Sequence, residues 1–144
     1  MNQMPEKIYV LDTNIISALR PGRNPGLFRH VIQQKHHTLC LCEPVIFEIE
    51  RGYEHRQASQ QLVRFRHNLV PLFTVVSVRL ADWRVAAKLW GDARRRGYQL
   101  SDVDVLLAAM TIRLGAILVT DDSDFKFIPL VQTVNWLTGN SEYE

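Results

Sequence analysis

The chain of 144 residues contains only two cysteines, a scarcity that argues against a disulfide-built scaffold. Cys40 and Cys42 stand one residue apart in a strand-like run, so both side chains share a face and a bridge between them would be strained. Zinc-site spacing is also missing, because His36 and His37 are adjacent while His30, His55 and His67 are scattered. No apolar run approaches the roughly 18 residues that a membrane span needs. Met1 to Lys7 lacks the long apolar middle of a secretory signal, so the expected address is the cytoplasm, with no membrane partner. Neither a Ser-His-Asp or Cys-His arrangement nor a Gly-rich phosphate loop is visible. A strong charge imbalance is lacking too: 17 basic residues face 15 acidic ones, and a net charge of +2 does not by itself indicate nucleic acid.

What remains is a sequence able to bury a core. Hydrophobic residues make up 47% of it, and the length suits one domain over residues 1–137, with a polar tail at 138–144. Lys7 to Leu11 (KIYVL) reads as a buried strand that stops at Asp12. Asp12, Thr13 and Asn14 then offer capping groups for a helix over IISALR. Pro21-Gly22 breaks that helix, and Asn24-Pro25 opens another that runs to about Lys35. A second strand falls on Thr38 to Cys42, followed by helices from Glu43 to about Tyr53 and from Gln57 to Asn68. Leu72 to Val78 reads as a third strand. Ala81 to Arg96 is helical, with Trp83, Ala86, Ala87 and Trp90 as its apolar stripe and Gly97 as its stop. Ser101 caps a helix to Leu114, Gly115 ends it, and Ala116 to Val119 is a fourth strand. A fifth falls on Val131 to Trp136. Strands alternating with helices, without hairpin turns, predict an α/β fold: three layers, α/β/α, around a mainly parallel sheet of four or five strands.

In such sheets, sites form beyond the carboxyl ends of the strands. Asp12 follows the first strand directly, and Asp121, Asp122 and Asp124 follow the fourth, so two strand ends deliver acids to one edge. On a wheel of the helix after Ser101, Asp102 and Arg113 share a solvent stripe while Asp104 points inward between Leu107 and Ala108. A capping box begun by Ser101 would absorb the charge of Asp104, but it does not explain the inward direction. The helix after Pro44 adds either Glu48 or Glu50. Gly52, four residues beyond Glu48 on the same strip, favours Glu48, because a missing side chain there leaves room for another group to approach.

Carboxylates gathered without matching cations repel one another unless some hold protons or a cation sits among them. Hard oxygen donors suit Mg²⁺ or Mn²⁺, which keep waters and accept phosphate oxygens. Such an ion can activate water for in-line attack on a phosphodiester and neutralise the charge that develops. Arg supplies 13 of the 17 cations, and Arg94, Arg95 and Arg96 form a cluster expected on the rim of the site, where it would hold an RNA backbone. A solvated helix face would account for the same cluster.

Taken together, VLDTNIISALRP at 10–21, FEIERG at 47–52, SDVDVLLAAMT at 101–111 and LVTDDSDF at 118–125 resemble the PIN-domain nucleases, especially the VapC and FitB-like toxins of toxin–antitoxin pairs. The resemblance covers nearly the whole chain. It implies a Mg²⁺- or Mn²⁺-dependent endoribonuclease, a cognate antitoxin that blocks the acidic pocket, and a homodimer. Carried over by position, it implies Asp12, Glu48, Asp104 and Asp122 as the catalytic acids. Asp12, Asp104 and Asp122 would hold the metal, and Thr13, Asn14 and Thr120 would support the pocket. Three acids crowd the last motif, so Asp124 can share or replace the role given to Asp122. Two other readings fit the same residues: a catalytically silent RNA- or protein-binding module, and a phosphotransferase with Asp12 as nucleophile.

Overall fold

A computed structural model describes residues 5–138; most of the expected polar tail, residues 139–144, lies outside that range. The apolar run that ends at Asp12 forms β1 (Ile8–Leu11), and Asp12 itself caps α1 (Thr13–Ala18). The chain continues through α2 (Pro25–Gln33), β2 (Thr38–Cys42), α3 (Glu43–His55), α4 (Ser59–Arg64) and β3 (Thr74–Val76). Then come α5 (Leu80–Arg95), α6 (Asp102–Arg113), β4 (Ile117–Val119) and β5 (Thr133–Val134). The five strands lie in the order β3-β2-β1-β4-β5, and every neighbouring pair is parallel. Helices flank this sheet in the expected three-layer α/β/α arrangement. Its central strands are the most deeply buried part of the core, with Val10, Leu11, Leu41, Cys42, Leu118 and Val119 sealed from solvent. Burial pushes the Cys42 thiol up to about 12 and that of Cys40 upward as well, which makes both inert packing groups near neutral pH.

The strand order fixes where a site can open. From β1 the chain crosses to β2 on one side, whereas β4 lies on the other side of β1. The connections therefore diverge between β1 and β4, leaving a crevice at their carboxyl ends. Register places Leu11 opposite Val119, so Asp12 and Thr120 emerge side by side. Two left-handed glycines set the length of the helices that bring in the remaining groups. Gly97 (φ +89) closes α5 and Gly115 (φ +61) closes α6, both in the conformation an L side chain resists.

Several expectations change on the fold, among them the fifth strand, which shortens from Val131–Trp136 to Thr133–Val134. The helix expected over Gln57 to Asn68 begins at Ser59 and widens into a π-helical turn over Phe65–Leu69. The strand expected over Leu72 to Val78 shrinks to Thr74–Val76, because Pro71 sits in a 3-10 turn over Val70–Leu72. The apolar stripe of α5 divides: Ala86 is buried with Ala93, but Trp83 and Trp90 remain 54% and 39% exposed, and Ala87 faces out beside them.

The inward face of α5 carries an acid instead. Asp82 is buried, and it pairs with Arg113 of α6, whose Nε donates to Oδ1 at 2.8 Å and whose Nη2 donates to Oδ2 at 3.0 Å. Arg113 also donates to the Ser77 carbonyl at 3.1 Å, so it is half-buried in a fork on Asp82 and does not stand on the solvent stripe. Burial alone would raise the Asp82 pKa. The Arg113 hydrogen bonds, the Arg79 N–H and the charges of both arginines outweigh that effect and hold it below 3.8. The pair locks α5 to α6 and through it fixes the pose of the helix that carries Asp104. Changing Arg113 to Met leaves Asp82 buried and uncompensated, and urea unfolding at pH 7 should show a loss of about 3 kcal/mol. Because the folded-state pKa is depressed, this contribution is whole above pH 3.8 and disappears only as acid titrates the folded carboxylate; an unfolding midpoint that does not move on mutation at pH 7 would refute it.

Candidate active site

Asp12 is the best-held group at the crevice. As the N-cap of α1 it accepts the Thr13 N–H on Oδ1 at 2.7 Å, while Oδ2 accepts the Thr120 hydroxyl at 2.7 Å. Its own N–H is bound to the Val119 carbonyl at 2.9 Å, which ties the end of β1 to β4. The Thr120 hydroxyl accepts in turn from the Asp122 N–H at 3.0 Å. One threonine thus orients Asp12 with its proton and positions Asp122 with its lone pair. Asn14 receives the Asp121 N–H on Oδ1 at 3.2 Å, fastening the same two segments a second time.

The acids of the last motif separate by environment. Asp121 is held by Asn135, whose Nδ2 donates to Oδ1 at 2.7 Å. Asp122 is half-buried and caps a 3-10 turn over Ser123–Phe127, accepting the Asp124 N–H at 2.9 Å. Asp124 is exposed. The charge of Asp122 bears on both Asp12 and Asp104, and Asp124 contributes to neither.

Asp104 comes from the first turn of α6, with the Ser101 hydroxyl accepting its N–H at 3.1 Å. The cap and the inward direction therefore coexist. Burial, then the charge of Asp12, then those of Asp122 and Glu48 raise the Asp104 pKa to about 6, against a lowering from Ser101 that exceeds either of the last two. Asp12 is raised as well, by burial first, although hydrogen bonds from Thr120 and Thr13 counter it and Glu48 and Asp122 add to it. Glu48 accepts a short hydrogen bond from the Thr13 hydroxyl, and Arg51 reaches its other oxygen only at 3.4 Å. Glu50 points elsewhere and is gripped by Arg66 at 2.6 Å and 3.2 Å. The side chains of Asp12, Glu48, Asp104 and Asp122 thus share one electrostatic neighbourhood, while Glu50, Asp102 and Asp124 stand outside it.

Among the described residues no lysine or arginine pairs with Asp12, Asp104 or Asp122. Nor do three of these side chains, as they stand, close around a point by themselves. The donor set is hard oxygen throughout, and the neighbouring acids add to the raised pKa of Asp12 and of Asp104, which marks a place short of positive charge. That chemistry fits a divalent cation that takes a few carboxylates and completes its shell with water.

Of Arg94, Arg95 and Arg96, only Arg96 contacts the segment that follows the last acids. Arg96 donates to the Phe127 carbonyl at 2.6 Å, at the end of the turn that follows Asp122. Arg95 and Arg96 both reach Asp92, and Arg94 lies over the Trp90 ring at 4.5 Å. Two further arginines went unmarked in the sequence reading. Arg20 and Arg56 line a hollow of about 250 Å³ with Thr13, Ser17, Glu48 and Gly52. The spacing Glu48, Gly52, Arg56 was the available signal, since residues four apart share a helical strip. A larger cleft of about 590 Å³ adjoins it, walled mainly by Ile16, Leu19, Phe28, Phe65, Leu69 and Leu72.

Comparison with known proteins agrees with this geometry. The family model for the PIN domain matches residues 9–129. Ribonuclease VapC11 of Mycobacterium tuberculosis is 32% identical over 101 residues, which is 69% of this chain and 73% of that protein. This chain belongs to the PIN-domain family, with the VapC ribonucleases. Solved VapBC structures share the PIN fold. The VapBC2 complex of Rickettsia felis, crystallised with promoter DNA, superposes with a TM-score of 0.81 at 21% identity, covering 90% of this chain and 98% of that one. VapBC-1 of nontypeable Haemophilus influenzae gives 0.77 at 23% identity, covering 91% and 99%.

The raised pKa of Asp104 has a consequence for PIN-fold stability that can be measured without substrate. A folded-state pKa of about 6 against 3.8 unfolded means that the native state binds the proton more tightly. Stability from this group therefore grows as pH falls through about 6 toward 3.8, and its charge destabilises the fold above that window. In the metal-free protein at pH 7.5, Asp104→Asn should raise stability by on the order of 1 kcal/mol, allowing for partial solvent screening. The advantage should vanish near pH 4. Thermal melts of both proteins across that range test it, and a destabilised Asn variant at pH 7.5 would count against a strained carboxylate.

Proposed function

We propose that this chain is a Mg²⁺- or Mn²⁺-dependent endoribonuclease, acting in the cytoplasm as the toxin of a toxin–antitoxin pair. The observation that carries the reading is that Asp12, buried at the β1/β4 crevice, bears by its charge on the half-buried Asp104: both have raised pKa, and neither is neutralised by a cation among the described residues. Membership in a family whose relatives are named ribonucleases supports the reaction class. Asp12, Asp104 and Asp122 would hold the ion. When bound, it supplies Lewis acidity that polarises a phosphate oxygen and makes water a better nucleophile.

The remaining work falls to the chain. Thr120 keeps Asp12 turned toward the crevice, so that its carboxylate does not swing away when RNA binds. Thr13 fixes one oxygen of Glu48, leaving the other to orient the attacking water and receive its proton. Asn14, by holding the Asp121 N–H, keeps the last motif against α1. Arg94 to Arg96 add to the attraction for the RNA backbone. The neighbouring VapBC structures are toxin–antitoxin complexes, and the apolar cleft beside α1 gives an antitoxin segment a surface to cover here. A second copy of the chain would cover Trp83 and Trp90, whose exposure on α5 is large for a monomer surface.

Asp12→Asn and Asp104→Asn should each reduce RNA cleavage by at least about 100-fold, roughly 3 kcal/mol of transition-state stabilisation, with far-UV spectra unchanged. Excess chelator should abolish cleavage by the parent chain, and Mn²⁺ should restore it. Undiminished cleavage in chelator would overturn the metal-dependent reading, and absence of cleavage with Mn²⁺ would favour a silent binding module. Light scattering should show a dimer that Trp83→Glu with Trp90→Glu converts to monomer; a monomeric parent removes the homodimer from this reading.

A further inference from the structure

We propose that Arg20 and Arg56 bracket a subsite that holds a phosphate of the RNA strand one nucleotide away from the bond being cut. The inference rests on the ribonuclease reading above and adds the residues that steady the strand.

A cluster of carboxylates repels a polyanion. An ion at the centre relieves that repulsion for the phosphate it touches, but the next phosphate along the strand still approaches an acidic wall. Cations must stand beside that wall, close to the acids yet not spent on them. Arg20 and Arg56 meet this condition. They line the hollow of about 250 Å³ that also contains Thr13 and Glu48, so it opens directly beside the acid centre. Among the described residues neither makes an ion pair, whereas Arg51, Arg66, Arg95, Arg96 and Arg113 all face carboxylates.

Both are held in place by contacts that leave donors free. Arg20 spends Nε on the Ser17 carbonyl at 3.3 Å, and its Nη groups remain available. The Arg56 guanidinium lies over the Tyr53 ring at 5.3 Å and folds back across Gly52. A Cβ at Gly52 would stand 3.4 Å from Arg56 Nη1, in ordinary contact, so a side chain longer than alanine's would compete with the guanidinium for that space. The glycine that the sequence singled out as room for an approaching group thus makes room for this arginine. Two planar guanidinium forks lining one small polar hollow suit a phosphate, which can accept from both. The Arg94 to Arg96 cluster differs, since Asp92, Phe127 and Trp90 already occupy it.

The test uses the full chain carrying Asp104→Asn, so that RNA is bound and not cut. Anisotropy of a labelled single-stranded RNA of mixed sequence is measured in Mg²⁺ over a series of KCl concentrations. Adding Arg20→Gln and Arg56→Gln should weaken binding about tenfold and reduce the slope of log affinity against log salt by about 0.7, the share of one single-strand phosphate. Arg20→Lys with Arg56→Lys should keep the slope. In the cleaving chain the Gln pair should raise KM about tenfold with kcat within about twofold. RNA binding by the Asp104→Asn chain with affinity and slope unaltered by the Gln pair would overturn the subsite alone. An unchanged slope with weaker binding would also overturn it, as would loss of affinity for poly-glutamate while RNA binding holds, which assigns the hollow to an acidic protein. If the Asp104→Asn chain binds no RNA, the KM of the cleaving chain decides the subsite, an unchanged KM in the Gln pair overturning it; no cleavage by the parent chain with Mn²⁺ would instead sink the ribonuclease reading itself.

Discussion

The structure depends on how Asp12 is fixed at the end of the central strand. Its carboxylate caps α1, accepts the Thr120 hydroxyl and so joins the carboxyl ends of β1 and β4 across the point where the chain connections diverge. A buried carboxylate at such a place needs hydrogen bonds to remain ionised, and it receives two. Those bonds compete with burial and with the charges of Glu48 and Asp122, and the balance still leaves the Asp12 pKa raised. The group is held in position without being neutralised. Rigid geometry combined with unmet charge is what a metal or a phosphoryl group can use.

Helix α6 shows the same contrast at its two ends. Asp104 sits in the first turn, where the helix dipole and Ser101 favour its charge, yet it carries the larger raised pKa. Arg113, eleven positions along the helix, is paired to the buried Asp82 in a two-bond fork. Two buried or half-buried carboxylates on neighbouring helices therefore titrate in opposite directions: Asp82 is lowered by its arginine and Asp104 is raised by other acids. The first kind of group holds a fold together. The second weakens it, and persists where function needs the charge. Anchoring one end of α6 lets the other end tolerate the repulsion.

Much of this was legible from the sequence because local and global signals agreed. The run KIYVL stopping at a capping Asp gave β1, α1 and the location of Asp12 together; Thr38 to Cys42 gave β2 to the residue. Gly52 separated Glu48 from Glu50, and the structure sends Glu50 to Arg66. The failures share a physical cause. On α5 the sequence offered two tryptophans against one aspartate, and transfer free energy favours burying the rings. A wheel cannot see a partner on another helix, so it assigned Arg113 to water, although its fork makes the burial of Asp82 tolerable. The third strand failed similarly: the apolar pattern was strong, but Pro71 cannot donate to a ladder and turned the first residues into a 3-10 bend.

The last motif shows why composition alone could not rank its acids. Asp121, Asp122 and Asp124 are chemically alike and within four residues of one another. What separates them is backbone, not charge. The Thr120 hydroxyl donates its proton to Asp12 and keeps its lone pairs to accept an N–H, and the N–H that reaches it belongs to Asp122. That bond turns the chain so that Asp121 meets Asn135 and Asp124 faces solvent. A single threonine, set beside Asp12 by the β1/β4 register, therefore decides which of three neighbouring carboxylates faces the crevice. Loss of that hydroxyl would remove the reason for the order among the acids while leaving every one of them present.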